Sequence, residues 1–329
     1  MSEKSTMYKI VKYTRDYYDE WNSFIENSKN ATFLFHRDFM EYHSDRFEDF
    51  SLLAYKKNKL VAVLPANKNG KDVYSHQGLT YGGVVLEKEV KFEIVVEIFK
   101  NILKYLETQS VKNLIIKQIP SIYITNTNDE ILYLMFVLKA ELLKRDTLSV
   151  VNLFERLKIS NNRLEGFKRG EKNGLVIREE DTFELFWNDI LIKNLKKKHN
   201  ASPVHSLEEM TLLKRRFPNN IKQFNVYKDN KIVAGTTVFE SKYVAHSQYI
   251  SGDESKNSLG SLDFLHIYLI NEVFKEKKYF DFGISNENYG LQINKGLQFW
   301  KEGFGARTIT QDFYKVKTKN HAILNDIFL

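Results

Sequence analysis

Four side chains in the last third of this chain have the chemistry of a proton-transfer site. His246 lies in AHSQYI (245–250), a strand-like stretch whose alternation sets His246, Gln248 and Ile250 on one face. An imidazole titrates near neutral pH and is suited to act as a general base. Asp281 lies among phenylalanines in YFDFGISNE (279–287), where burial would raise a carboxylate toward the range of a base. Glu287 follows on the next loop, and Lys301 falls in the last turn of a helix in GLQFWKEGFGA (296–306), behind Trp300. A lysine there also matches the helix dipole. Between the strand of His246 and the next helix runs Asn257-Ser258-Leu259-Gly260-Ser261. A loop opening a helix offers unpaired N–H groups to a phosphate. Gly260 would allow close approach, so Leu259, Gly260 and Ser261 are the expected donor-binding residues.

A second set lies upstream. In SHQGLTYGGVVL (75–86), His76, Tyr81, Gly82 and Gly83 are expected to contact a ligand, because two glycines after an aromatic leave an open backbone wall. His205, in SPVHS before a helix, is expected to line a cleft, and Trp300 to contact substrate. No two histidines stand at i, i+4 or in H-x-x-E-H spacing, so no metal is expected.

These residues need a frame. Tyr55–Ala62 reads YKKNKLVA and Tyr227–Ala234 reads YKDNKIVA, each a strand, a polar turn and a returning strand. Upstream of each stands Arg-Phe, at Arg46-Phe47 and Arg216-Phe217, and another strand follows each copy. A repeat of this kind marks two copies of one domain. The periodicity predicts helices over 16–26, 90–108 and 129–144 in the first copy, and over 182–195, 206–215 and 261–275 later. Strands are expected at 114–118, 147–154 and 279–284, and a hairpin at the end of the chain. The basic run Lys196-Lys197-Lys198 reads as a solvated helix end. The expected domains are 1–155 on the acceptor side, a helical connector over 156–220, and 221–329 on the donor side. The fold class is α/β (α+β), with a mixed twisted sheet flanked by helices in each domain.

Composition narrows the function. The chain has 329 residues, enough for two domains of about 150 each. It has no cysteine, which excludes disulfides, thiolate metal sites and a cysteine nucleophile. Its formal charge of +7 favours anionic partners. No apolar run reaches the roughly 20 residues of a membrane helix, and the N-terminus lacks an apolar signal core, so a soluble cytoplasmic protein without membrane insertion is expected. Nothing in the pattern sets an oligomeric state.

The order of these phrases resembles the FemAB-like branch of the GNAT acyltransferases, which carry two tandem GNAT-type domains. SHQGLTYGGVVL is similar to the first-domain motif ending in Tyr-Gly-Gly, and FKRGEKNGLVI (167–177) to the linking segment. AHSQYI, YFDFGISNE and GLQFWKEGFGA are similar to the second-domain motifs. The phosphate loop departs from the usual GNAT pattern, and Trp300 stands where Phe is commoner.

The resemblance implies transfer of an acyl group from acyl-CoA, as donor substrate, to an amine of a cell-envelope or surface-glycan precursor. The acceptor would be a small-molecule amine, an amino sugar or a peptide, and polysaccharide biosynthesis is the implied setting. It places His246 beside the reacting thioester, and Lys301 beside the reacting ester with Trp300 before it. One alternative is an aminoacyl-tRNA-dependent peptidoglycan-type aminoacyltransferase, with tRNA as partner. The absence of a long helical arm between 150 and 220 disfavours it. The other alternative is a non-catalytic basic module that binds anions or nucleic acid. The basic residues are scattered and do not alternate with aromatics as in single-strand binders.

Overall fold

The structure is a computed structural model that describes residues 7–329, the side chains of Lys198 and His199 excepted. The expectation of no signal core at the N-terminus, and part of the Lys196–Lys198 run, therefore fall outside the described residues. The chain divides into two compact units, Met1–Asp146 with Thr310–Leu329, and Thr147–Ile309. These bounds differ from the expected ones at two places. Residues 156–220 are not a separate connector but part of the second unit. Helix Asn161–Lys172 packs on helix Ser261–Tyr268, with Gly166 against Asp263 and Gly170 against Phe264. The last residues close the first unit, because Phe313–Lys317 pairs antiparallel with Asn113–Lys117. The chain thus ends in a strand, Arg307–Lys317, and a short helical stretch, Thr318–Asp326, where a hairpin was expected.

In the first unit, strands Tyr8–Lys12, Leu52–Lys56, Lys59–Leu64 and Val85–Leu86 form an antiparallel sheet in that order. Helix Phe92–Thr108 buries Val95, Ile98, Phe99, Ile102, Leu103 and Leu106, the face expected from its helical period. It connects strand Asp72–Tyr74 to strand Asn113–Lys117, and the two strands pair in parallel. The helix expected over 129–144 stops at Val137, and Glu141–Asn152 is a strand. The break comes at Lys139, whose φ of 52° is left-handed and cannot continue a right-handed helix.

In the second unit, Val176–Glu180, Ile221–Lys228, Lys231–Glu240, Val244–Gly252 and Tyr279–Ile284 are neighbours in that order. Strand Glu141–Asn152 joins through 148–152, antiparallel to Tyr279–Ile284. Helix Ser261–Tyr268 and the π-helical turn Leu269–Val273 cover one face of the sheet, burying Leu265, Leu269 and Ile270 against Phe280 and Phe282. The opposite face is covered by Phe183, Phe186 and Trp187, all fully buried. Helix Leu207–Arg216 starts on the expected cap, with Ser206 and Glu209 forming a capping box.

The two repeat hairpins have the same register. Ala54 faces Ala62, Tyr55 faces Leu60 and Lys56 faces Lys59; Val226 faces Ala234, Tyr227 faces Ile232 and Lys228 faces Lys231. Each has a bulge at the same place, with one extra valine, Val61 or Val233. Lys57 and Asp229 open both turns with left-handed φ, 54° and 49°. Each unit also carries one strand–helix–parallel strand element.

Candidate active site

The parallel pair of the second unit carries the site. Strands Val244–Gly252 and Tyr279–Ile284 run together for three residue pairs, the last being His246 with Asp281. Parallel neighbours at one register point their side chains the same way, so the imidazole and carboxylate meet. His246 Nδ1 lies 2.9 Å from Asp281 Oδ2. Asp281 is fully buried and His246 nearly so. The other carboxylate oxygen, Oδ1, accepts the Gly283 N–H at 2.7 Å. That bond depends on a bulge between Asp281 and Ile284 against strand Glu141–Asn152, in which Gly283 adopts a left-handed φ of 68°. A Cβ at Gly283 would stand 3.2 Å from His246 Cε1, so a side chain there would press on the imidazole. With Nδ1 held by the carboxylate, Nε2 is the nitrogen left to take a substrate proton.

Lys301 completes the cluster. Helix Lys295–Glu302, capped by Asn294, buries it in the last turn. Its Nζ donates to Gly283 O at 3.0 Å and Ile284 O at 2.6 Å. Burial brings its pKa down to about 8, against a smaller opposing pull from Asp281. The lysine thus clamps the bulge that holds Asp281, and keeps a third N–H. Ser285, just after the bulge, is buried with a hydroxyl that has no partner among the described residues.

The alternation expected around His246 is corrected by a second bulge. Val238 pairs with Ser247 and Thr237 with Tyr249, so Gln248 is an extra residue. The parity changes there, and Tyr249 rather than Gln248 shares the face of His246; Ile250 packs with the opposite core. His205 approaches that first face, with Nδ1 2.6 Å from Tyr249 Oη. Burial pushes Tyr249 up to about 12, so it remains a neutral hydroxyl.

A cavity of about 630 Å³ opens at the far end of the same strand. Ile250, Ser251 and Gly252 line it together with Leu195, Leu297 and Trp300. Its charges are Arg163, Arg169, Lys256 and Asp263. Asp263 is already matched: Arg163 Nη1 donates to it at 2.6 Å and Trp300 Nε1 at 2.9 Å. The lining is therefore net cationic.

The donor-binding residues expected from the loop are placed differently. Gly260 is left-handed, with φ 71°, and an added Cβ would collide with the Gly166 carbonyl oxygen. The close approach it permits in this structure is to helix Asn161–Lys172, whose Gly166 carbonyl lies where a Cβ would stand. Ser261 is fully buried beneath that helix, and Leu259 packs against the core. Lys256 and Asn257, one turn earlier, line the cavity instead. Glu287 is exposed on a short hairpin and accepts from Asn294 at 2.9 Å, away from the His246–Asp281 contact.

The expected acceptor residues lie in the first unit and are tightly packed. His76 stacks on His43, with centroids 5.0 Å apart, and has a left-handed φ of 74°. Tyr81 is buried, its hydroxyl 2.8 Å from Thr32 Oγ1. A Cβ at Gly82 would collide with the Ser75 carbonyl oxygen, so the backbone wall expected there is covered by the chain itself. Gly83 has φ 105°, which favours glycine. Arg163, Arg169 and Asp263 were missed by sequence reasoning. The visible signal was the Gly166/Gly170 spacing in the helix of the two arginines, which marks a close contact with the helix that carries Asp263.

No family model matches the chain, and no curated protein does. Solved structures do. FemX aligns at 9% identity over 94% of this chain and 98% of its own, with a TM-score of 0.66. L-PGS from Bacillus licheniformis aligns at 13% identity over 93% of each chain, with a TM-score of 0.59. A tandem GNAT protein of the clavulanic acid biosynthesis pathway aligns at 10% over 94% and 98%, with a TM-score of 0.50. Identities this low speak for architecture alone: the chain shares the fold of FemX, L-PGS and the tandem GNAT protein.

Proposed function

We propose that this protein is an N-acyltransferase whose second unit binds an activated, phosphate-bearing acyl donor and whose His246–Asp281 pair deprotonates an amine acceptor. The observation that carries this reading is the buried imidazole–carboxylate contact at the point where two parallel strands stop pairing. From His246 to Ser251 the strand rises about 16 Å at roughly 3.3 Å per residue. An extended donor arm laid along it would put its acyl carbon near Nε2 and its phosphates in the cationic cavity. Backbone pairing along such an edge is a common way to hold an extended ligand.

The chemistry then follows. The acceptor arrives as an ammonium and gives a proton to His246 Nε2, while Asp281 fixes the tautomer and steadies the imidazolium. The free amine attacks the acyl carbon. The Lys301 ammonium supplies charge for the oxyanion. The tetrahedral species still carries a second ammonium-derived proton on nitrogen; as it collapses to the amide that proton passes to the departing thiolate or alkoxide, and the imidazolium releases its own proton to solvent. Arg163, Arg169 and Lys256 hold the phosphates.

Acyl-CoA is the favoured donor, with an amine of a cell-envelope or surface-glycan precursor as acceptor. Among the described residues between 156 and 220 the longest uninterrupted helical run is 184–199, π-helical over Phe186–Leu191 and α-helical over Ile192–His199, too short for an extended helical arm. Thermal stabilisation by acyl-CoAs, followed by transfer to a panel of amines, tests the reading. A ligand at 100 times its Kd adds about 2.7 kcal/mol. Arg163→Ala combined with Arg169→Ala should remove that shift. Transfer supported by aminoacyl-tRNA with no response to any acyl-CoA would replace the donor, and activity unchanged in His246→Gln would remove the base.

A further inference from the structure

The first unit contains a charged cluster that the proposed chemistry does not use. Strand Asn113–Lys117 ends in a lysine whose backbone is held on both sides, its N–H by Ser75 Oγ at 2.9 Å and its carbonyl by the Gly82 N–H at 2.8 Å. Its Nζ makes one hydrogen bond among the described residues, to the neutral Leu79 carbonyl at 2.9 Å. Lys117 Nζ lies 5.6 Å from the Phe313 ring centre and Lys144 Nζ lies 5.0 Å from the same ring. Lys144 pairs with Asp146 Oδ2 at 2.7 Å. Asp146 is 2% exposed, and its Oδ1 is buried with no partner among the described residues.

Two needs remain unmet in this cluster. One ammonium, Lys117, has no ion-pair partner among the described residues, because Lys144 already has the carboxylate. One buried carboxylate oxygen lacks a donor, a costly condition in a low-dielectric site. A simple anion would answer the first need and add repulsion at the second. A ligand with a carboxylate and an ammonium a few ångströms apart answers both, and the Phe313 ring provides an apolar wall. We propose that Lys117, Lys144 and Asp146, gathered at the Phe313 ring, form a subsite of the first unit for the amino-carboxylate end of the acceptor. This rests on the reading above that the acceptor is an amine, and it narrows the class to an amino acid or peptide side chain that carries a second, reacting amine besides the amino-carboxylate held here. The phrase SHQGLTYGG then acquires a physical role, since its Ser75, Leu79 and Gly82 hold Lys117 in place. Burial, reinforced by Lys144, lowers the lysine to about 8, so it is charged at neutral pH and ready to take a carboxylate.

Isothermal titration of the whole protein without donor tests this apart from any transfer activity. L-alanine and L-lysine should bind saturably, while N-acetyl-alanine, which lacks the ammonium, and alaninamide, which lacks the carboxylate, should bind at least tenfold more weakly. Lys117→Met and Asp146→Asn should each weaken L-alanine at least tenfold. Lys117→Met, which exchanges a buried ammonium for an apolar chain of similar size, is the variant least able to disturb folding; Lys144→Met, which leaves the Asp146 carboxylate unpaired, should also weaken binding. The subsite is wrong if L-alanine shows no saturable binding up to about 10 mM, a concentration that would reveal even a millimolar Kd. It is equally wrong if N-acetyl-alanine or inorganic phosphate binds as well as L-alanine, or if the folded variants bind like the parent. Loss of acyl transfer with this binding intact would instead count against the second-unit chemistry.

Discussion

The two parallel strand pairs of this molecule are built alike and finished differently. In the first unit Asp72–Tyr74 runs beside Asn113–Lys117, and in the second Val244–Gly252 runs beside Tyr279–Ile284, each joined through a helix. Beyond the first pair the chain folds back on itself: the Ser75 N–H bonds to Ile115 O, and the Gly82 N–H to Lys117 O. Beyond the second pair the strand continues to Gly252 and a cationic cavity. The histidines follow suit. Among the described residues His76 and His43 stack without a carboxylate partner, whereas His246 meets Asp281. One scaffold gives a closed end suited to holding groups in place and an open end suited to chemistry. What differs is whether backbone fills the gap and whether a buried charge faces the imidazole.

The largest test of that contrast exchanges the histidines' fates. His246→Gln and Asp281→Asn should each lower kcat by about 10²–10⁴-fold in an acyl-transfer assay, the usual worth of a general base. His76→Gln should leave kcat within a few-fold and lower the melting temperature instead. If both histidine variants behaved alike, the two ends would not differ in the way described.

Next in size are two glycines that touch backbone. Gly82→Ala and Gly260→Ala should each destabilise by about 3 kcal/mol, because the added methyl meets a fixed carbonyl and not a movable side chain. Gly174→Ala, with φ 65° but open space around its Cβ, should cost only about 1 kcal/mol. Chemical denaturation midpoints of the three variants give the comparison. A Gly260→Ala protein of full stability that failed only in donor binding would restore a phosphate role to that loop.

The smallest effect at neutral pH comes from the buried neutral histidines, and it grows in acid. Burial lowers His43 to about 4 and His76 to about 3, well below the unfolded value near 6.5. Between those values the unfolded chain binds the extra protons, so stability is full above about pH 6.5 and falls as pH drops. The slope is at most about 1.4 kcal/mol per pH unit for each histidine. His266 in the second unit, lowered to about 4 by burial, adds one such group there. Urea midpoints at pH 7, 5.5 and 4.5 should fall for the parent and fall less for His43→Phe. Equal midpoints at all three would contradict the neutral buried pair.

Local pattern alone determined much of this protein. The matched YK-x-NK-x-VA hairpins, the apolar faces of Phe92–Thr108 and Ser261–Tyr268, and the Ser206 cap were legible because register, helical period and capping depend on neighbours in sequence. The residue types at 246, 281 and 301 were legible for the same reason. Only tertiary structure decided what they meet. Two bulges, at Gln248 and at Gly283, set which side chains share a face, and a bulge answers to the partner strand rather than to local periodicity. Gly260 was readable as a glycine that lets something come close. That the visitor is Gly166, far earlier in the chain, followed from helix packing, which depends on long-range contacts that no local pattern records.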